Sequence, residues 1–258
     1  MEQAIHPLAS HIQGVKRRLI IIGATVLGAL VLTFSFSTEM VAWLNRPFSN
    51  QLAFYGPTEA LFASIKVSLL AALILSLPVI FYQCWKFIEP ALLQKEQRWA
   101  IPLFMVAGGL FAVGLVFCNV VILPLVIDLF VSFGLDRDIT PQLSVGTYID
   151  FNVKFLLIFG CAFELPLVMS LVAMTGVVSA DMFARYRKHA ILLCLIVSAV
   201  VTPDATLFTM LLMAVPLMAL YEIGIIGARI FGRKPDSGGI DLPLDPDLPM
   251  NTAGTRLR

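Results

Sequence analysis

Long uncharged apolar runs dominate this chain, and they leave few folds open. Leu19–Thr38, Val67–Trp85 and Trp99–Ile127 are each of the order of the 20 or so residues that a helix needs to cross a bilayer's hydrocarbon core. A fourth run, between Lys154 and Asp181, carries a single charge, Glu164. The last block, Ala190 to Tyr221, is interrupted only at Thr202-Pro203-Asp204, turn chemistry that divides it into two helices. Hydrophobic residues make up 59% of the chain and charged ones 14%, against about 45–50% and about 25% in soluble domains. The pattern predicts an all-α membrane protein with six transmembrane helices, the last two short. Ala190–Val201 supplies only about 18 Å of helix, well below the hydrocarbon thickness. A re-entrant hairpin in its place returns the chain to the same side.

The basic residues orient the spans. With the N-terminus inside, the inner segments hold all of the Lys and Arg residues except Arg46, Lys66, Arg137 and Lys154, out of 18 in total. Positive residues favour the cytoplasm, so both termini are expected there. Lys16, Arg17 and Arg18 precede the first run and superficially copy a secretory signal. The run is longer than the usual h-region of about 7–15 residues and no A-x-A-like site follows, which predicts an uncleaved first span with Arg17-Arg18 as its anchor. Glu39 to Ile65, rich in aromatic residues and carrying Pro47 and Gly56-Pro57, is expected to form an amphipathic outer cap at the membrane surface. Asp128 to Asp150 forms an acidic outer segment. Residues 1–231 read as one polytopic membrane domain, and 232–258, rich in Pro, Gly and Asp, as a disordered cytoplasmic tail.

Glu164 is the chemical anomaly. An acid at the centre of a membrane helix costs about 2.5–3.5 kcal/mol on insertion scales, so such groups face a protein interior or a wet cavity. Pro166, two residues on, lacks an N–H and disturbs the helix. Acid and helix breaker together mark an intramembrane polar site. The alternative is a neutral Glu164 that merely hydrogen-bonds a neighbouring helix.

Catalytic signatures are missing: H-E-x-x-H, G-x-S-x-G and the P-loop pattern do not occur, so no enzymatic activity is expected. Cys84, Cys118, Cys161 and Cys194 are scattered singly and His6, His11 and His189 lie far apart. Zinc or haem ligation therefore has little support and a disulfide framework less, so no metal or cofactor is expected and the cysteines read as packing residues. On the inner face, Y-Q-C-W-K-F-I-E-P-A-L-L-Q-K-E-Q-R sets Glu89 and Glu96 beside Trp85, Phe87 and Ile88. Pro90 suits the first turn of a helix, so Ala91 to Arg98 is a candidate interfacial helix. A solvated loop with its acids paired to Lys86, Lys95 or Arg98 is the plain alternative.

The order of the motifs is informative. L-x-x-H-I at Leu8–Ile12 precedes K-R-R-L, and R-P-F follows at Arg46–Phe48. Then come L-P-V-I-F-Y-Q-C-W-K-F-I-E-P-A-L-L-Q-K-E-Q-R from Leu77 to Arg98, F-E-L-P at Phe163–Pro166, T-P-D at Thr202, and A-V-P-L-M-A-L-Y-E-I-G from Ala214 to Gly224. In this order the chain resembles the TatC family, the multi-spanning core subunits of the bacterial twin-arginine translocase. The resemblance implies a receptor in the bacterial inner membrane for folded precursors with R-R signal peptides. It also implies single-span TatA/TatB-type partners, self-association and energisation by the proton-motive force. It places signal binding at Glu96 and Phe87, with Lys16 and Arg18 on the same surface, and the intramembrane acid at Glu164. Pro47 falls in the outer cap, and Pro203, Asp204 and Met210 at the partner-helix contact. Two departures stand out. The family's H-L-x-E-L-R reads H-I-Q-G-V-K here, so Gly14 replaces an acid and Glu89 is the candidate substitute. The common S-Q pair of the outer turn is replaced by L-F-T-M at Leu207–Met210.

Two other classes remain at this stage. A proton-coupled solute transporter would use Glu164 as carrier, but it needs acids or broken helices on several spans, and only the fourth is so marked. A scaffold without cargo would tolerate loss of Glu96.

Overall fold

A computed structural model describes residues 5–45, 52–53, 56–88, 100–135, 143–202 and 207–232. The chain runs α1 (Ile5–Phe34), α2 (Ser37–Asn45), β1 (Leu52–Ala53), α3 (Pro57–Ile88) and α4 (Ala100–Phe117). A π-helical turn, Cys118–Ile122, joins α4 to α5 (Leu123–Leu135). After β2 (Leu143–Ser144) come α6 (Val145–Phe163), α7 (Leu165–Met174), α8 (Ala180–Arg185), α9 (Arg187–Val201) and α10 (Leu207–Phe231). Beyond one parallel pair of two-residue strands, in the register Leu52↔Leu143 and Ala53↔Ser144, the described structure is helical.

Among the described residues, five segments are long and apolar enough to cross a membrane: Gly14–Phe34, Thr58–Phe87, Pro102–Leu129, Val145–Met174 and Leu207–Phe231. The sixth expected span is α9, whose 15 residues reach only about 22 Å. The last helix departs from expectation. It has 25 residues, about 38 Å, and is not short. It continues past Tyr221 because a further apolar stretch follows Glu222, whose carboxylate pairs with Arg187 of α9 at 2.8 Å. The outer cap is corrected in the same way. Residues 57–65 are the first turns of the 32-residue α3, which leaves α2 and β1 as the described parts of that segment. The tail beyond 232 lies outside the described residues.

Hydrophobic burial does not drive helices together in lipid, so close packing and polar contacts must. The core is an aromatic column on α6, with Phe151, Phe155 and Phe159 at helical spacing; the Phe151 and Phe155 rings lie 4.1 Å apart between centroids, tilted by 36°. Phe117 of α4 closes on it at 5.9 Å from Phe159. Glycine permits this approach, since a Cβ at Gly114 would lie 2.8 Å from the Phe159 carbonyl oxygen. The α7–α10 seam uses the same device. A Cβ at Gly224 would meet Met169 Sδ at 2.4 Å, a small-residue face of the kind membrane helices use.

Polar ties fix the two ends. At the α2 end, the Glu59 carboxylate on α3 accepts from the Gly146 N–H at 2.9 Å and from the Ser144 hydroxyl, so a neighbouring helix caps the start of α6. Lys66 of α3 pairs with Asp150 of α6 two turns further in, and Tyr148 donates to the Leu44 carbonyl at 3.3 Å. At the opposite end Tyr221 donates to the Phe183 carbonyl at 2.9 Å, tying α8 to α10. Of the cysteines, Cys118 is fully buried and packs as expected, whereas Cys84 and Cys161 lie on exposed faces.

Candidate functional site

Two groups of expected site residues are brought together, at different depths. The first is a corner between α1 and α3. Trp85 and Phe87 follow Gln83 on α3, and the i, i+4 spacing sets Gln83 and Phe87 on one face. Trp85 turns inward, buried against Leu171 and edge-on to Phe104 at 6.4 Å. Phe87 turns outward, 47% exposed. Arg18 of α1 reaches this face: its guanidinium carbon lies 5.9 Å from the Phe87 ring centroid, and Nη1 donates to the Gln83 carbonyl at 3.2 Å. Lys16 is exposed on the same stretch of α1. Lys86 folds back over the Tyr82 ring at 5.4 Å, leaving the Arg18–Phe87 pair undisturbed. Glu89 and Glu96, in the segment that follows α3, lie outside the described residues, as do Pro47, Pro203 and Asp204.

The second group surrounds Glu164. The residue is a one-residue turn between α6 and α7: its N–H bonds the Cys161 carbonyl at 3.1 Å, a tighter step than the α-helical one. Pro166 falls in the first turn of α7, where its missing N–H leaves no helix bond unmade. The expected disturbance is therefore present. Glu164 occupies the N-cap position of α7, yet its side chain makes no capping bond. The carboxyl lies within reach of the Phe111 backbone on α4, and its Oε1 is buried with no hydrogen-bond partner among the described residues. An orphaned buried acceptor is uncommon in a native structure and marks a group whose partner comes from elsewhere. The carboxyl can accept a donor from an inserted polar segment, and nothing in the local helix competes for it.

Met210, expected at a partner contact, sits half-buried at the start of α10, next to the fully buried Thr209. Two contributors escaped the sequence pattern. Gln83 acts through its backbone carbonyl, which no side-chain signal reports. Phe111 reads as an ordinary lipid-helix residue, although the π-turn seven residues further on marks α4 as irregular, and such bulges recur at functional sites.

Comparison with known proteins agrees over nearly the whole chain. A family model described as Sec-independent protein translocase protein (TatC) matches residues 10–216. A Sec-independent protein translocase protein TatC from Desulforapulum autotrophicum is 37% identical over 242 residues, covering 92% of this chain and 89% of that protein. One from Aquifex aeolicus is 37% identical over 234 residues, covering 88% and 97%. A crystal structure of a twin arginine translocase receptor, TatC, superposes with a TM-score of 0.78 at 36% identity, covering 86% of this chain and all of the other.

Proposed function

The chain belongs to the TatC family and is a multi-pass membrane protein of Sec-independent protein transport; from that premise we propose that it is the core receptor of a twin-arginine translocase. It binds the R-R signal peptides of folded precursors, assembles with itself and with TatA/TatB-type single-span partners, and works under the proton-motive force. It lies in the bacterial inner membrane with both termini cytoplasmic, as one polytopic domain followed by a tail from residue 232. The observation that carries this proposal is the likeness, over 86% of this chain, to a solved twin arginine translocase receptor.

The chemistry is compatible at both sites. Two arginines present two planar forks of donors, and a carboxylate takes such a fork bidentately. Glu96 is the principal acceptor, and Glu89 stands in for the acid absent at Gly14. Phe87 offers an aromatic face for a guanidinium, worth about 0.5–1 kcal/mol at an exposed site. The apolar stretch of the signal then lies along the helices towards Glu164, whose unpartnered oxygen supports a role as acceptor for a polar group of the signal or of a partner helix. Pro47, Pro203, Asp204 and Met210 belong to the outer cap and partner-helix contacts. Family membership favours this over a solute transporter using Glu164.

Capture of the detergent-solubilised chain by an immobilised R-R signal peptide tests the assignment. Retention by R-R and release when the pair is K-K supports a receptor. Equal retention, or none, refutes it.

A further inference from the structure

The corner between α1 and α3 holds a cation where the receptor assignment brings in two more. Arg18 already makes the contacts that would attract a foreign guanidinium: the Phe87 ring at 5.9 Å and the Gln83 carbonyl at 3.2 Å. Both lie in the last two turns of α3 (Pro57–Ile88), where the helix dipole favours positive charge. A fixed arginine beside an incoming R-R pair would repel it, and the like charges would share one ring face. We propose that Arg18 is a placeholder: its guanidinium occupies the position on Phe87 that one signal arginine takes on binding, and it swings away when the signal docks. This inference rests on the receptor assignment and deepens it.

The surroundings suit such an exchange. Arg18 is half-exposed, so its head group reaches water without unpacking a helix. Gly14 lies one turn earlier on the same face of α1, and a Cβ added there would meet nothing within 4 Å among the described residues. The described neighbours therefore leave the side chain space. Gln83 is held by burial and Phe87 by its place on α3, so the platform stays while the occupant changes. The exchange also sharpens selectivity. A guanidinium replaces a guanidinium with its planar stacking and forked donors intact, whereas an ammonium must displace the same competitor with a single compact charge.

The test is equilibrium binding of a fluorescein-labelled synthetic R-R signal peptide to the full chain in nanodiscs. Arg18→Gln removes the competitor and should tighten R-R binding about two- to fivefold, the scale of an exposed cation–π contact. The gain should vanish in a Phe87→Leu background and be smaller in Arg18→Lys, which keeps a poorer competitor and carries the test if the glutamine variant fails to fold. Unchanged or weaker binding by Arg18→Gln overturns the proposal. A gain that persists without Phe87 also overturns it, since simple repulsion would then be the cause. If the wild type itself fails to prefer R-R over K-K, the receptor assignment is what has failed, and the placeholder falls with it.

Discussion

Glu164→Leu should make the protein more stable and less able to transport. The carboxyl leaves one buried oxygen without a partner among the described residues, and a group so placed costs about 1–3 kcal/mol. The opposing term is smaller. Glu164 stands at the start of α7 (Leu165–Met174), where a helix N-terminus favours an acid by about 0.3–1 kcal/mol. Leucine keeps comparable bulk, removes the unpaired acceptor and suits the apolar surroundings, so the net change is a gain of about 1–2 kcal/mol. Alanine also removes the acceptor but leaves a void beside Phe111, and should gain less. Glutamine keeps shape and hydrogen-bonding capacity, so its transport should lie closest to wild type. Unfolding of the purified chain in detergent, followed by tryptophan fluorescence, gives the stabilities. Transport of a folded R-R precursor into inverted membrane vesicles gives the activities. A Glu164→Leu variant that is less stable than wild type, or that transports normally, would show the carboxyl to be structural and refute this reasoning.

Other consequences are as direct. Reporters fused after Arg18, near Lys95, near Arg187 and after Lys234 should read as cytoplasmic, and those at Asn50 and Asp138 as external; a cytoplasmic Asp138 breaks the topology. Gly114→Ala sets a Cβ 2.8 Å from the Phe159 carbonyl and should destabilise the chain in denaturant titration, since overpacking costs about 1–3 kcal/mol against roughly 0.8–1.0 kcal/mol gained in helix propensity. A double-mutant cycle on Lys66→Met and Asp150→Asn should give a coupling of about 0.2–1 kcal/mol, because both side chains are more than a third exposed; a coupling several times larger would mean a desolvated pair. The 15-residue α9 should hold Asp204 below the normal headgroup level and thin the bilayer locally, so a cysteine at 204 as freely labelled from the aqueous phase as one at 138 contradicts it.

Much of this architecture is legible in the apolar runs, and the errors share one cause. The uncharged pattern bounds the second span at Val67, after Lys66, and the last at Tyr221, before Glu222. In the structure Lys66 is met by Asp150 and Glu222 by Arg187, each across to another helix. A charge neutralised from a neighbouring helix does not end a span, and a one-dimensional pattern carries no trace of the partner. The disturbance at Glu164 was readable because its cause, Pro166, is local. The meeting of Arg18 with Phe87 was readable only as two residues of one surface. Their contact depends on how α1 crosses α3, and on a backbone carbonyl that every residue possesses.

In the proposed receptor, a carboxylate in the segment after α3 (Pro57–Ile88) recognises the signal's arginine pair. The most direct test of this claim is the affinity of a synthetic R-R signal peptide for Glu96→Gln, measured across ionic strengths. A charge-assisted hydrogen bond contributes about 1.5–3 kcal/mol, so binding should weaken roughly ten- to hundredfold. The salt dependence should flatten, since screening acts within about 8 Å at physiological ionic strength. Glu89→Gln should show the same effect more weakly, and Gly14→Glu should partly restore it. An unchanged affinity and salt slope in Glu96→Gln would contradict the claim and place recognition elsewhere.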